Sequence, residues 1–531
     1  KGAQWQGEEI SPPCREAATE RRAAMSIGER DPAGVAPGAA KERPAIEGEA
    51  RLLINGVLRE ARAGRCFPNI DPATEEVLGV TCDADSSDME AAIQAARNAF
   101  DETSWSRDHE FRRHCLEQLQ DAMDKRREEL RALVVAEAGS PLAMTYAIQV
   151  EEPIADLDFW AEMTDAYTYE TWLADREVFG QLHKRLVLRE ARGVVGAITP
   201  WNYPLYLNIA KLAPALAAGN TVVLKPAPDT PWCATVLGKI IAEETDIPAG
   251  VVNVVASSDH SVGEVLTGDP RVDMITFTGS TATGRKIMAN ASHTVKKVFL
   301  ELGGKSANIV LDDAEMSEAV AMSAIGVCTH AGQGCAITTR LLLPRSRYEE
   351  GIQAAASAMA TVVVGDPWDP SVLQGPLISA RQRERVLGYI EEGIEDGARV
   401  VLGGGVPEAF EAGYYVEPTL LADVDPSWSV AQEEIFGPVL VAIAYEDEDD
   451  AVRIANGTPY GLSGAVMSKS VERATEVAKR LRTGTVSVNG GMWFAPDVPF
   501  GGYGQSGIGR ENGIQGFEEY LETKVLAFPA C

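Results

Sequence analysis

Val194-Val195-Gly196-Ala197-Ile198-Thr199, closed by Pro200-Trp201-Asn202, is an apolar run of strand length, and it opens the alternation that decides the fold. Residues 206–218 have helical spacing and end at Gly219-Asn220. Residues 221–224 form a second strand, followed by Lys225-Pro226. A helix is predicted over about 232–244, then a strand at 251–255, a short helix, and a strand at 274–278 that ends at Gly279-Ser280. Strands rich in Val and Ile alternating with helices predict a doubly wound parallel sheet with helices on both faces. Such sheets take ligands beyond the carboxyl ends of their strands, which singles out Trp201, Asn202, Lys225, Gly279 and Ser280.

Working outward, Gly279-Ser280-Thr281-Ala282-Thr283-Gly284 lies between a strand and a helix predicted over 284–291. Free amides at a helix start suit a pyrophosphate, although the pattern is not GxGxxG. Gly303-Gly304-Lys305-Ser306 resembles the end of a P-loop, but position 299 is Phe where that motif needs glycine, so nucleotide-triphosphate binding is rejected. After residue 335 the alternation resumes: strands at 341–343, 400–402, 439–444 and 485–489, and helices near 348–359, 450–455 and 471–481. This predicts a second α/β unit with its own core.

Upstream, 52–54 with Asn55-Gly56 reads as a strand and turn. Ser87-Asp88-Met89-Glu90 reads as a capping box, and a single helix is predicted over 109–137. Residues 171–192 suggest a hairpin arm. The strand-like 523–528 suits either a partner's sheet or an edge strand within its own chain. Residues 1–48 lack periodicity and read as a disordered leader, with either Met25 as the physiological start or the leader dispensable.

A chain of 531 residues exceeds one ordinary core, and 45% hydrophobic with 24% charged residues describes a globular protein. A formal net charge of −30 excludes nucleic-acid backbones and acidic membrane surfaces as partners. No apolar run is long enough to span a membrane, and the expected location is cytoplasmic. Eight cysteines are scattered without CxxC pairs, which suits a reducing compartment and gives no metal site; Cys328, His330 and Cys335 lack a second ligand pair.

Gly332-Gln333-Gly334-Cys335 places one thiol in a glycine-flanked turn before a strand-like run. Glycines there let the backbone approach a substrate and leave the Cys335 amide free to donate. His330 nearby invites a Cys–His protease reading, which gives the strand-end glycines no role.

Taken together, Ile198-Thr199-Pro200-Trp201-Asn202-Tyr203-Pro204, Lys225-Pro226, Phe277-Thr278-Gly279-Ser280-Thr281, Leu300-Glu301-Leu302-Gly303-Gly304-Lys305, Gly332-Gln333-Gly334-Cys335, Glu433-Glu434-Ile435-Phe436-Gly437-Pro438 and Pro499-Phe500-Gly501-Gly502 resemble the NAD(P)-dependent aldehyde dehydrogenase superfamily. The resemblance runs from about residue 50 to the C-terminus. It implies two doubly wound α/β domains with a small β oligomerisation arm: a Rossmann-like cofactor domain (49–170 and 193–303), a catalytic domain (304–516), and arm and tail (171–192 and 517–531).

It also implies the chemistry. A thiol, partly ionised at neutral pH even with a pKa near ~8.5, adds to the aldehyde carbon so that hydride can leave. The resemblance gives that role to Cys335, the oxyanion to the Asn202 amide and the Cys335 N–H, and thioester hydrolysis to Glu301. It puts Lys225 on the adenosine ribose, Gly279 and Ser280 at the pyrophosphate, Glu434 on the nicotinamide ribose, Phe436 near the nicotinamide, and Trp201 along the cleft. Family members often carry Glu three residues after the lysine; here Pro228 stands there, followed by Asp229, so NAD is expected with NADP possible. Glu301 argues against the coenzyme A-acylating branch. A cysteine esterase and a non-catalytic structural relative are the other classes. The substrate pocket is expected around Trp160, Trp201, Tyr203 and Trp493, suited to an apolar or aromatic aldehyde, in a homodimer or homotetramer.

Overall fold

In the computed structural model, residues 44 and 46–530 are described; Met25 and nearly all of the predicted leader lie outside them. The run that opens the alternation forms strand Val194–Ile198, fully inside a sheet of eight strands. Its order is Gly507–Ile508, Lys297–Glu301, Met274–Thr278, Val194–Ile198, Thr221–Lys225, Val252–Val254, Leu52–Ile54 and Val57–Arg59. The five strands from Lys297–Glu301 to Val252–Val254 run parallel, and the outer strands are antiparallel. Successive strands depart in opposite directions from Val194–Ile198, so the order reverses beside it, and the carboxyl ends there carry Asn202 and Gly279. Apolar cores cover both faces, as the Val- and Ile-rich strands require.

A second sheet of seven strands has the order Arg399–Leu402, Thr419–Ala422, Val439–Tyr445, Thr338–Pro344, Ser306–Val310, Gly464–Met467 and Ser487–Val488. All its pairings are parallel except the first. Only four residues separate the end of Lys297–Glu301 in the first sheet from the start of Ser306–Val310 in the second. Glu301 therefore sits at a carboxyl edge of one sheet, while Cys335 precedes Thr338–Pro344 at an amino edge of the other.

The arm is a hairpin, Glu170–Val178 and Gln181–Ala191, turned by Phe179 (φ 52°) and Gly180 (φ 77°). The terminal strand Leu521–Pro529 pairs antiparallel with Gln181–Ala191 over nine residues, which favours the own-chain reading of the tail.

Three expectations need correction. The first helix, Ser86–Glu102, is capped by Asp85, not from Ser87: Asp85 accepts from the amides of Ser87 (2.8 Å) and Asp88 (3.2 Å), and Asp88 returns the bond. A carboxylate is the stronger acceptor, and the Ser87 hydroxyl itself donates to it at 2.6 Å. The single helix over 109–137 is two, His109–Lys125 and Arg127–Ala138, broken at Arg126. No Gly or Pro marks that break; Arg126 is held by Glu244 at 2.5 Å, 118 residues away. The helix after Thr278 starts at Thr281, not 284, because Ser280 accepts from the Thr283 amide and caps it.

Candidate active site

Asn202 lies in the turn between Val194–Ile198 and helix Pro204–Ala217, which opens on Pro204 where a missing N–H costs nothing. Its side chain is buried, and Nδ2 donates to the Gln333 carbonyl at 2.8 Å. An amide has two N–H groups, so one remains for a ligand. The Asn202 carbonyl accepts from Gln149 Nε2 (3.0 Å) and His330 Nε2 (2.7 Å). Since a carbonyl only accepts, the His330 proton sits on Nε2, and burial pushes its pKa down to about 4. His330 is thus a neutral donor that positions the Asn202 turn. It does not form a Cys–His pair.

The thiol is reached through a distorted turn. After helix Met316–Gly326 the backbone enters the left-handed region at His330 (φ 51°), Ala331 (φ 53°) and Gly332 (φ 70°). At Gly332 a Cβ would strike the Gly437 backbone, so both conformation and space require glycine. Two non-glycine residues in a row there store strain that the surroundings hold in place. Gln333 supplies part of that hold, its Oε1 accepting from the Ile378 amide at 2.9 Å. Cys335 is half-buried. Burial pushes its thiol pKa up, and Glu434, Glu301 and Glu511 add to that.

Glu301 is 2% exposed, and neither carboxylate oxygen has a hydrogen-bond partner among the described residues. A Cβ on Gly501 would come within 2.7 Å of Glu301 Oε1, so this glycine makes the room the carboxyl occupies. Burial, reinforced by Glu511, raises the Glu301 pKa well above the ordinary carboxylate range against the opposing Lys211 and Arg510. Gly304 brings the strand end against the thiol segment: a Cβ there would approach the Cys335 carbonyl at 2.6 Å.

A cavity of about 430 Å³ is lined by Trp201, Asn202, Gly279, Ser280, Gly303, Cys335, Glu434 and Phe436, with Arg381, Gln382 and Arg385 at one side. Of the nine site residues picked from sequence, it joins seven: Cys335, Asn202, Gly279, Ser280, Glu434, Phe436 and Trp201. Glu301 adjoins it through Leu302, its carboxyl turned toward Gly501. Lys225 lies apart, with Nζ 3.5 Å from the Ser257 carbonyl and its pKa lowered by burial to about 8.

Glu434 Oε1 accepts from the Gly304 amide at 3.0 Å, and burial pushes its carboxyl up to about 7. Phe436 is left-handed (φ 62°), held by Gln382 donating to its carbonyl at 2.8 Å, and meets Trp201 edge to face at 5.4 Å. The glycine-bearing strand end, the capped helix start and the cavity between them form a cradle that fits a dinucleotide.

One expectation fails on position. Trp160 does not line a pocket: it is 1% exposed in the first unit's core, stacked on Phe517 at 6.5 Å, because its helix turns that face inward. Cys328 is buried, its thiol donating to the Ala324 carbonyl. Sequence reading also missed Lys211 and Glu511, a fully buried ion pair at 2.7 Å beside Glu301. The single charged residue of the 204–217 helix was the available signal.

The aldehyde dehydrogenase family model matches residues 58–526. A 3-succinoylsemialdehyde-pyridine dehydrogenase from a Pseudomonas species is 42% identical over 477 residues, covering 90% of this chain and 98% of the relative. A Mycobacterium tuberculosis aldehyde dehydrogenase solved with NAD+ superposes at TM-score 0.87 with 41% identity, covering 91% of this chain and 99% of that one. Aldehyde dehydrogenase C of Pseudomonas syringae, a cysteine-to-alanine mutant solved with NAD+ and octanal, gives TM-score 0.86 at 38% identity, over 90% and 96%. With the motifs, the fold and these matches in agreement, the chain belongs to the aldehyde dehydrogenase family.

Proposed function

We propose that this chain oxidises an aldehyde to its carboxylic acid with reduction of NAD+, through a thiohemiacetal and then a thioester on Cys335. The observation that carries the reading is the meeting of the thiol and the Asn202 amide in the cavity that also holds Gly279 and Ser280. Bound in this cavity, NAD+ supplies the hydride acceptor. Gly279, Ser280 and the capped helix start would hold its pyrophosphate and Glu434 its nicotinamide ribose, Phe436 and Trp201 would wall the nicotinamide, and Lys225, outside the cavity itself, would meet the adenosine ribose. Related structures hold NAD+, which supports NAD+ as the cofactor.

Cys335 must lose its proton to attack, and the raised pKa means that the free site holds it as a thiol. A cationic ligand beside the thiol relieves this, and Glu301 keeps its unused oxygens for the second half of the reaction. The free Asn202 N–H and the Cys335 amide receive the oxyanion. Glu301 then takes a proton from the water that hydrolyses the thioester, a task for which its raised pKa suits it.

Asn202→Ala is expected to lower kcat/KM on the order of 10²–10³-fold, the usual cost of one oxyanion donor, in steady-state assays at saturating NAD+. A base must be ionised to act, so kcat should rise with pH through the raised Glu301 pKa. That limb, placed above the ordinary carboxylate range, should disappear in Glu301→Gln. An aldehyde panel with NAD+ tests the function as a whole: failure of every aldehyde to form NADH would favour a cysteine esterase or structural role.

For the domains, 49–170 with 193–303 carries the cofactor and 304–516 the cysteine. Residues 171–192 and 517–531 form the assembly surface of a homodimer or homotetramer. That arm sheet exposes Trp172, Phe179, Leu182, Val525 and Phe528, more apolar area than an isolated edge sheet keeps in water. Phe179→Asp with Val525→Asp is expected to yield a smaller particle by sedimentation equilibrium.

A further inference from the structure

We propose that Cys66 and Cys82 form a reversible disulfide when the chain meets a peroxide oxidant. They are direct partners across the antiparallel strands Cys66–Ile70 and Val77–Cys82. The Cys82 amide donates to Ala50 and the Asp83 amide to Arg65, so Cys66 and Cys82 are a non-hydrogen-bonded pair, the closer kind. Cβ atoms of such pairs lie roughly 4.5–5.5 Å apart, within a small closure of the 3.5–4.5 Å a disulfide takes.

Cys66 is exposed and meets the oxidant first, while Cys82 is buried. Hydrogen peroxide converts the Cys66 thiol to a sulfenic acid and water. The Cys82 sulfur then attacks that sulfur, the S–O bond breaks, the S–S bond forms and a second water leaves. Two thiols lose two electrons in all. Peroxide treatment of the full-length Cys335→Ala chain should yield a linked 66–82 peptide, two hydrogen masses lighter, restored by dithiothreitol. Both thiols still open to iodoacetamide, or Cys66 taken to the sulfinic acid with Cys82 free, would overturn it.

Discussion

Cys335→Ala is expected to abolish aldehyde-dependent NADH formation, by at least about 10⁴-fold in kcat, while NAD+ still binds. The expectation comes from placement. Cys335 is the thiol on the cavity wall beside the Asn202 amide, whereas Cys115, Cys233 and Cys328 are buried in the cores and Cys66 and Cys82 lie on the strand pair near the first sheet. Without a sulfur at position 335 the aldehyde carbon has no partner to make it tetrahedral, and hydride has no reason to leave. The change removes one atom from a half-buried side chain, so the melting temperature should move little. NAD+ binding by calorimetry should stay within about threefold, because none of the proposed dinucleotide contacts is touched. Residual turnover near wild type would place the nucleophile elsewhere.

Glu301→Gln separates the two halves of the reaction. Gln keeps the shape of the carboxyl and removes its basicity. The first half, ending in a thioester on Cys335, should still occur, and one equivalent of NADH should appear rapidly. Turnover after that burst should fall on the order of 10²–10⁴-fold, the usual contribution of a general base. The buried Lys211–Glu511 pair beside Glu301 is untouched by this change. A neutral residue also escapes the burial and carboxylate crowding that hold the Glu301 pKa high, so the variant should be no less stable near neutral pH. For a carboxyl whose folded pKa is raised, ionisation disfavours the fold as pH climbs above the ordinary value, and Gln escapes that loss. Steady turnover equal to wild type would remove Glu301 from the base role.

Much of this was legible in the order of residues. The Val- and Ile-rich runs at 194–198, 221–225 and 274–278 became central parallel strands because both their faces are covered, and the residues that end the first and the third became the cavity wall. Local signals failed where distant contacts decide. Arg126 breaks a helix through an ion pair to Glu244, and the terminal strand's pairing depends on the arm 330 residues earlier. The family resemblance put Trp160 near the substrate pocket, yet its helix face packs into the core. Strand Ser306–Val310, central to the second sheet, was not expected from sequence; it begins at the end of Gly303-Gly304-Lys305-Ser306, which resembled a P-loop end. Lys211 and Glu511, 300 residues apart, show no spacing that joins them; only the fold brings them to Glu301.

The most direct test is the covalent one. Glu301→Gln is mixed with NAD+ and an aldehyde it oxidises, quenched in acid during the burst, and digested for mass mapping. The account predicts an acyl group on Cys335, equal in amount to the NADH formed. NADH formation with Cys335 unmodified, or an acyl group on another residue, would contradict it.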